Sequence, residues 1–250
     1  LIAHVGLIMI NGYIITTEGG KPFAEICKES IVRTGSDIRV HDFEAITPED
    51  IKEFPKWNWP WYSNASEWCF ESGLYKPYYN ANDQMRVVAC SLSHNALWEK
   101  CVERWEPIMV LEHDALFTKT FHWNPWKSDK NWGVLGLNDP RGATRKASVF
   151  YEKCISRLAG PEILPEDSEL LYTITPPKVD DIGSTPMPQG LAGNSAYIIR
   201  PEAAEKLLEG QKKYGLWPND AYMCQELWPF LRITIPFYTK VQGIKSTTKG

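Results

Sequence analysis

A chain of 250 residues, 43% hydrophobic and 23% charged, is long enough to bury the core of one large globular domain or two small ones. A formal net charge of -4 excludes the excess of positive charge that proteins coating nucleic acid or membranes carry. No apolar run approaches the roughly 20 residues that a membrane-crossing helix requires.

Residues 1–10 are apolar but lack the basic n-region and small-residue cleavage site of a signal peptide, and Met9 reads as the natural start with residues 1–8 foreign to it. Six cysteines without a CxxC pair fit reduced thiols and a cytoplasmic location, in a bacterium or in a host cell if the gene is a phage's. The sequon Asn64-Ala65-Ser66 stands alone and carries little weight.

In chain order, Gly12-Tyr13-Ile14-Ile15-Thr16-Thr17 reads as a first strand, followed by a Gly19-Gly20 loop. Helical spacing at Phe23, Ile26, Cys27 and Ile31 predicts a helix over 23–33 that Gly35 ends. Residues 37–43 alternate as a second strand, and a β-α-β opening favours a parallel sheet. Thr47-Pro48-Glu49-Asp50 reads as a helix start, with Thr47 as cap and acids in the first turn. The aromatic loop at 56–62, with Trp57, Trp59 and Trp61, is either a stacking surface for an acceptor or a loop stapled to the core.

Residues 82–105 read as a long helix, with Asn82 and Asp83 at its cap and Met85, Val88, Ala89, Leu92 and Ala96 three or four apart. After Pro107, Ile108-Met109-Val110-Leu111 suits a strand buried on both faces. It runs into Glu112-His113-Asp114. In an open α/β sheet ligands bind outside the carboxyl ends of the strands, so this triplet marks a site.

Residues 132–137 predict another buried strand. From 118 to 157, eight Lys and Arg, among them Arg141, Arg145 and Lys146, face three acids; this is either a diphosphate or polyanion surface or a solvated face. Residues 161–188 read as a long excursion or lid. The small-residue loop holding Gln189, Gly190, Gly193 and Asn194 would let backbone approach a ligand closely. A strand at 196–199 follows, then a helix with Pro201 at its first position and Gly210 beyond its end, a helix over 221–227, and a strand at 232–235.

Three segments, in this order and spacing, resemble the family 25 glycosyltransferases of the lipooligosaccharide and procollagen galactosyltransferase type. They are Ala89-Cys90-Ser91-Leu92-Ser93-His94-Asn95-Ala96-Leu97-Trp98, then Val110-Leu111-Glu112-His113-Asp114-Ala115-Leu116-Phe117, then residues 193–199 with 203–208 and Pro218-Asn219-Asp220. Together they span roughly residues 82–243. The resemblance implies a GT-A-like α/β fold: a single domain with a Rossmann-type, mostly parallel central sheet flanked by helices. Residues 1–120 would form its nucleotide-binding half and 121–250 its acceptor and donor-sugar half.

The resemblance also implies an inverting transferase that moves a sugar from a nucleoside-diphosphate sugar, such as a UDP-sugar, to an acceptor hydroxyl with help from Mn2+ or Mg2+. Asp114 is then the first metal-ligand candidate, with Glu112 and His113 beside it. An acid is usual at the position of His113, and imidazole also binds transition metals, so one negative charge is missing. Asp220 matches the family's acid and is the candidate base; Glu226 as base, or a helix-capping role for Asp220, is the alternative. Donor-binding candidates are Thr16, Thr17, His94, Glu112, Gln189, Gly190, Gly193 and Asn194, and His94 either contacts the diphosphate or orients the acidic motif.

A saccharide is the default acceptor. A hydroxylated DNA base, glycosylated as in phage DNA modification, is the alternative suggested by the basic segment, with Trp57, Trp59, Trp61, Arg141, Arg145 and Lys146 as acceptor candidates. A sugar- or nucleotide-binding module without catalysis is the competing class.

Overall fold

The computed structural model describes residues 9–61, 66–78, 81, 83–123, 132–142, 147–156, 172–178, 187–188, 190–191 and 194–244. In chain order they form β1 (Ile10–Thr16), α1 (Lys21–Thr34), β2 (Ile38–Glu44), a hairpin of β3 (Glu67–Cys69) and β4 (Leu74–Lys76), α2 (Gln84–Arg104), β5 (Ile108–Glu112) and β6 (Ala115–Phe117). There follow β7 (Val134–Gly136), α3 (Ala147–Ser156), β8 (Tyr172–Ile174), β9 (Ala196–Ile199), α4 (Pro201–Tyr214), α5 (Asn219–Tyr222), β10 (Leu231–Ile235) and β11 (Thr239–Val241). Asn82, Arg145, Lys146, Gln189 and Gly193, together with most of 161–186, lie outside the described residues.

Seven strands form one sheet in the order β2-β1-β5-β9-β7-β10-β8. Five point one way; β9 runs against β5 and β7, and β8 against β10. The chain is thus α/β with a mostly parallel central sheet, as expected. The opening β-α-β unit places β2 parallel to β1, and β5 joins β1 on its other edge with Ile15 opposite Glu112.

The apolar run of β5 serves both faces of the sheet, because successive side chains alternate. Met109 and Leu111 pack with Ile14, Cys27 and Ile31 beneath α1, while Ile108 and Val110 pack with Leu97, Trp98, Tyr197 and Leu207 beneath α2 and α4. Gly35 closes α1 in the left-handed region at φ 64°, its N–H donating to the carbonyls of Ile31 and Val32. In α2 the cap is Asp83, whose side chain accepts from the Arg86 N–H.

Four local expectations need correction. The helix expected from Thr47 is a single 3-10 turn, Pro48–Asp50. Asp50 accepts from the Thr47 N–H as a capping residue should, but Ile51 is already extended, and Pro55 disfavours helix in the residue before it. Gly210 does not end α4, which runs on to Tyr214 and closes at Gly215 with φ 79°. It is a packing glycine: a Cβ there would lie 2.3 Å from Trp228 and 2.5 Å from the Tyr222 hydroxyl.

The helix expected over 221–227 is only α5. The Met223 carbonyl accepts from the Leu191 N–H at 3.1 Å and Cys224 bridges to Gly190, which pulls the backbone out of helix. Finally, of the expected stripe on α2 only Val88 and Ala89 are buried, while Met85, Leu92 and Ala96 are half-buried; the buried face adds Val87, Ser91, Ser93, His94, Leu97, Trp98 and Cys101. Its polar members are bonded, Ser91 to the Val87 carbonyl and Ser93 to the Ala89 carbonyl.

Candidate active site

The carboxyl ends of β1 and β5 lie side by side, and each is tied to its neighbour. The Glu112 N–H donates to the Ser195 carbonyl at 2.8 Å, and the His113 N–H to the Ile15 carbonyl at 3.1 Å. Strand geometry ends at Glu112, and His113-Asp114 is a turn before β6. The alternation that would point Glu112 and Asp114 the same way therefore does not extend to Asp114. The two diverge: Glu112 faces α2 and His94, whereas the charge of Asp114 bears on Cys27 of α1.

His94 is fully buried and holds Glu112 from within α2. Its Nδ1 lies 2.9 Å from the Tyr197 hydroxyl, its Nε2 3.4 Å from Glu112, and the Trp98 indole N–H donates to the same hydroxyl at 2.9 Å. Burial keeps Tyr197 protonated by raising its pKa well above the ordinary value. With one lone pair taken by Trp98, its own hydrogen is available to His94 Nδ1. Nε2 then carries the imidazole proton and faces the carboxylate. Of the two roles open to His94, the geometry is that of a group orienting the acidic turn.

The carboxylates titrate in opposite directions. Burial alone would raise Glu112, but the His94 hydrogen bond and the electrostatic pull of the His94 and His113 imidazoles outweigh it and lower its pKa. Asp114 is raised from 3.8 to about 7, first by burial and then by the charge of Glu112. Its Oδ1 is buried without a hydrogen-bond partner. A buried acceptor beside a second carboxylate, with no cation against it among the described residues, suits a divalent cation.

The His113 ring packs against Gly20 and lies 6.1 Å from Phe23, and burial lowers its pKa, leaving it neutral. Thr16 is close by: a Cβ on Gly20 would meet both the Thr16 hydroxyl, at 3.3 Å, and the His113 ring, at 3.2 Å. That hydroxyl is buried and unpartnered, whereas Thr17 is exposed.

The raised pKa of Asp114 makes stability depend on pH. Between the unfolded value near 4 and about 7 the folded chain binds the extra proton, so the stability associated with this group falls as pH rises through that window. Thermal unfolding in chelator is expected to show the melting temperature dropping from about pH 5 to pH 8. Asp114→Asn should remove that part of the slope and melt above wild type at the upper end.

Asp220 is exposed, second in α5, which packs on α2. Its charge and that of Glu112 both act on Cys90, raising a thiol that burial raises already, so the two acids lie on one side of α2. Gly190 explains the placement. A Cβ there would fall 1.6 Å from the Asp220 carbonyl oxygen, so the glycine of the small-residue loop lets backbone approach Asp220 rather than a ligand. Asn194 donates to the Met223 sulfur at 3.3 Å and leaves its Oδ1 unpartnered. The Ser195 hydroxyl and both amide atoms of buried Asn219 are likewise without partners.

The other candidates separate. Trp59 is buried and packs on Trp217 at 5.1 Å, so it belongs to the core. Trp57 and Trp61 are half-buried and stack at 4.4 Å with planes 1° apart. Arg141 is exposed but held by Asp139 and laid over the Tyr151 ring. Cys90, Tyr197 and Asn219 escaped the sequence-based assignment of the site. Cys90 and His94 are four apart on one helix face, a detectable signal. Asn219 adjoins Asp220, but nothing local marks Tyr197, whose part comes from a strand distant in sequence.

The model of glycosyltransferase family 25, described as LPS biosynthesis protein, matches residues 32–223. No curated protein matches the chain. Among solved structures, an active-site mutant of LgtC is similar with a TM-score of 0.41 and 11% identity, covering 90% of this chain and 72% of that one. The apo form of glycosyltransferase GlyE of Streptococcus pneumoniae TIGR4 has a TM-score of 0.39 and 9% identity, over 94% of this chain and 45% of that one. Mouse xyloside xylosyltransferase 1 has a TM-score of 0.39 and 8% identity, over 90% and 85%. With its family model matched over most of its length, the chain belongs to glycosyltransferase family 25 and is a glycosyltransferase.

Proposed function

We propose that this glycosyltransferase takes a UDP-sugar as donor, binds its diphosphate at the turn after β5 with the help of Mn2+ or Mg2+, and transfers the sugar with inversion to a saccharide hydroxyl. The observation that carries this reading is the buried, unpartnered Oδ1 of Asp114 next to Glu112 at the carboxyl end of β5. When bound there, the cation neutralises charge on the leaving diphosphate. Asp114 is the foremost ligand, with Glu112 and the neutral imidazole of His113 as further candidates.

The chain's own groups divide the remaining work. His94, held by Tyr197 and Trp98, fixes the direction of Glu112. The unpartnered Thr16 hydroxyl, with Thr17 beyond it, is offered to the nucleotide. Asn194, Ser195 and Asn219 offer amide and hydroxyl groups to the donor sugar; Gln189 and Gly193, outside the described residues, remain candidates from the sequence. Asp220 accepts the proton of the attacking hydroxyl, held in place by the close approach of Gly190.

The stacked pair Trp57 and Trp61 forms a flat apolar platform for the acceptor ring. A DNA acceptor gains no support from Arg141, which is already engaged by Asp139 and Tyr151.

Slow donor hydrolysis without acceptor tests the cation reading. Wild type is expected to hydrolyse UDP-sugar faster with Mn2+ than with chelator. Asp114→Asn should reduce the Mn2+ rate by at least about tenfold, or roughly 1.4 kcal/mol of barrier. Unchanged turnover in the variant would sink the assignment of Asp114.

A further inference from the structure

Beside the acidic turn lies a second group of metal-ligating atoms, which shares Glu112 with the proposed donor site and adds the Cys90 thiol, for which the donor chemistry has no use. Cys90, His94 and Glu112 each offer one ligand atom, and the three atoms lie within 4.8 Å of one another. Among the described residues this is the grouping of three such side chains that could share one ion; Glu112, His113 and Asp114 do not converge in this way. Cys90 and His94 are one helical turn apart on α2, so their side chains project from the same face. Of the six cysteines, Cys90 alone is only half-buried, and the other five are buried.

We infer that Cys90, His94 and Glu112 form a site for a soft divalent cation, with zinc as the natural fit, separate from the cation that the donor diphosphate would bring. Three donors of sulfur, nitrogen and oxygen type, leaving a fourth position open, are the ligand set of an accessible zinc site. Zinc bonds of about 2.0–2.3 Å set tetrahedral ligand atoms about 3.3–3.8 Å apart, so the trio closes on an ion with small side-chain rotations. Thiolate and imidazole together select zinc over magnesium and manganese, which prefer oxygen.

Binding proceeds with a balanced proton count. The Cys90 thiol loses its proton to solvent and its sulfur takes the ion. The His94 proton moves from Nε2 to Nδ1 while the Tyr197 hydroxyl rotates its own hydrogen away, so that its oxygen accepts from Nδ1; this is the outer hydrogen bond that fixes a ligating imidazole. The carboxylates of Glu112 and Asp220, which oppose a thiolate in the metal-free chain, favour the cation once it is present. Occupation would withdraw Glu112 from the donor site, so zinc at one equivalent is expected to inhibit transfer.

Cobalt titration of the whole chain is the test, because cobalt-thiolate ligation gives a charge-transfer band in the near ultraviolet that oxygen ligands do not. The band should saturate at one equivalent in wild type, vanish in Cys90→Ser, and persist in Asp114→Asn. This last arm separates the soft site from the donor-cation reading. No band in wild type, an undiminished band in Cys90→Ser, or loss of the band in Asp114→Asn would each overturn the assignment. Wild type supplies an arm that needs no variant to fold. One equivalent of zinc, but not of magnesium, should slow alkylation of Cys90 by at least about tenfold, and unslowed alkylation would contradict the site.

Discussion

Asp220→Asn is expected to reduce sugar transfer by about 10²–10⁴-fold while leaving affinity for UDP within about threefold of wild type, the range a general base contributes. Asparagine keeps the size and shape of the side chain but cannot accept the acceptor's proton. Asp220 is exposed at the start of α5, so the substitution disturbs little packing. The nucleotide would contact the ends of β1 and β5, and neither strand carries Asp220. Steady-state transfer alongside calorimetric UDP binding separates the roles. A loss of nucleotide affinity that matches the loss of transfer would make Asp220 a binding residue and leave the base to be found elsewhere.

Gly190→Ala should be nearly as damaging, for a mechanical reason. The added methyl would sit 1.6 Å from the Asp220 carbonyl oxygen and 2.7 Å from its carbon. Both are backbone atoms, which cannot rotate away as a flexible side chain would. The contact is fixed on either side by the Gly190–Cys224 bridge and by the Leu191 N–H donating to Met223. Relief therefore requires the 190 loop or α5 to move by an ångström or more, and a misplacement of about 1 Å can cost about 10²-fold in rate. Transfer is expected to fall by that factor, with UDP binding largely kept. Full activity in Gly190→Ala would show that this contact does not position Asp220.

The sheet was legible in the sequence because its strands are short apolar runs bounded by clear breakers. The run 108–111 after Pro107 and the stretch 196–199 lie where strand pattern put them, and the Gly35 cap could be read from one residue. Hidden were features decided by tertiary contact. Gly210 looks like a helix end in isolation and is a packing glycine only because Trp228 and Tyr222 press on it. Residues 221–227 have helical composition, yet pairing with Gly190 and Leu191 overrides it.

In the site, Glu112 and Asp114 could be named from their place after a buried strand, but not their divergence, which follows from the turn. The alignment of Trp98, Tyr197, His94 and Glu112 brings α2, β9 and β5 together across the sheet, and no local pattern announces it. The aromatic loop divides for the same reason: Trp217, far along the chain, claims Trp59 for the core, while half-buried Trp57 packs against the edge of that core and stacks on Trp61.

The central claim is that Asp114 holds the donor through a divalent cation, and the neutral imidazole of His113 makes it a demanding one, since it adds no negative charge to the site. Calorimetric titration of UDP at about pH 8, with Mn2+ and again with chelator, in wild type and in Asp114→Asn, tests it most directly. Wild type is expected to bind UDP at least about tenfold more tightly with Mn2+, an increment of roughly 1.4 kcal/mol, and Asp114→Asn to lose that increment while keeping its metal-free affinity. The same Mn2+ increment in both proteins would contradict the account.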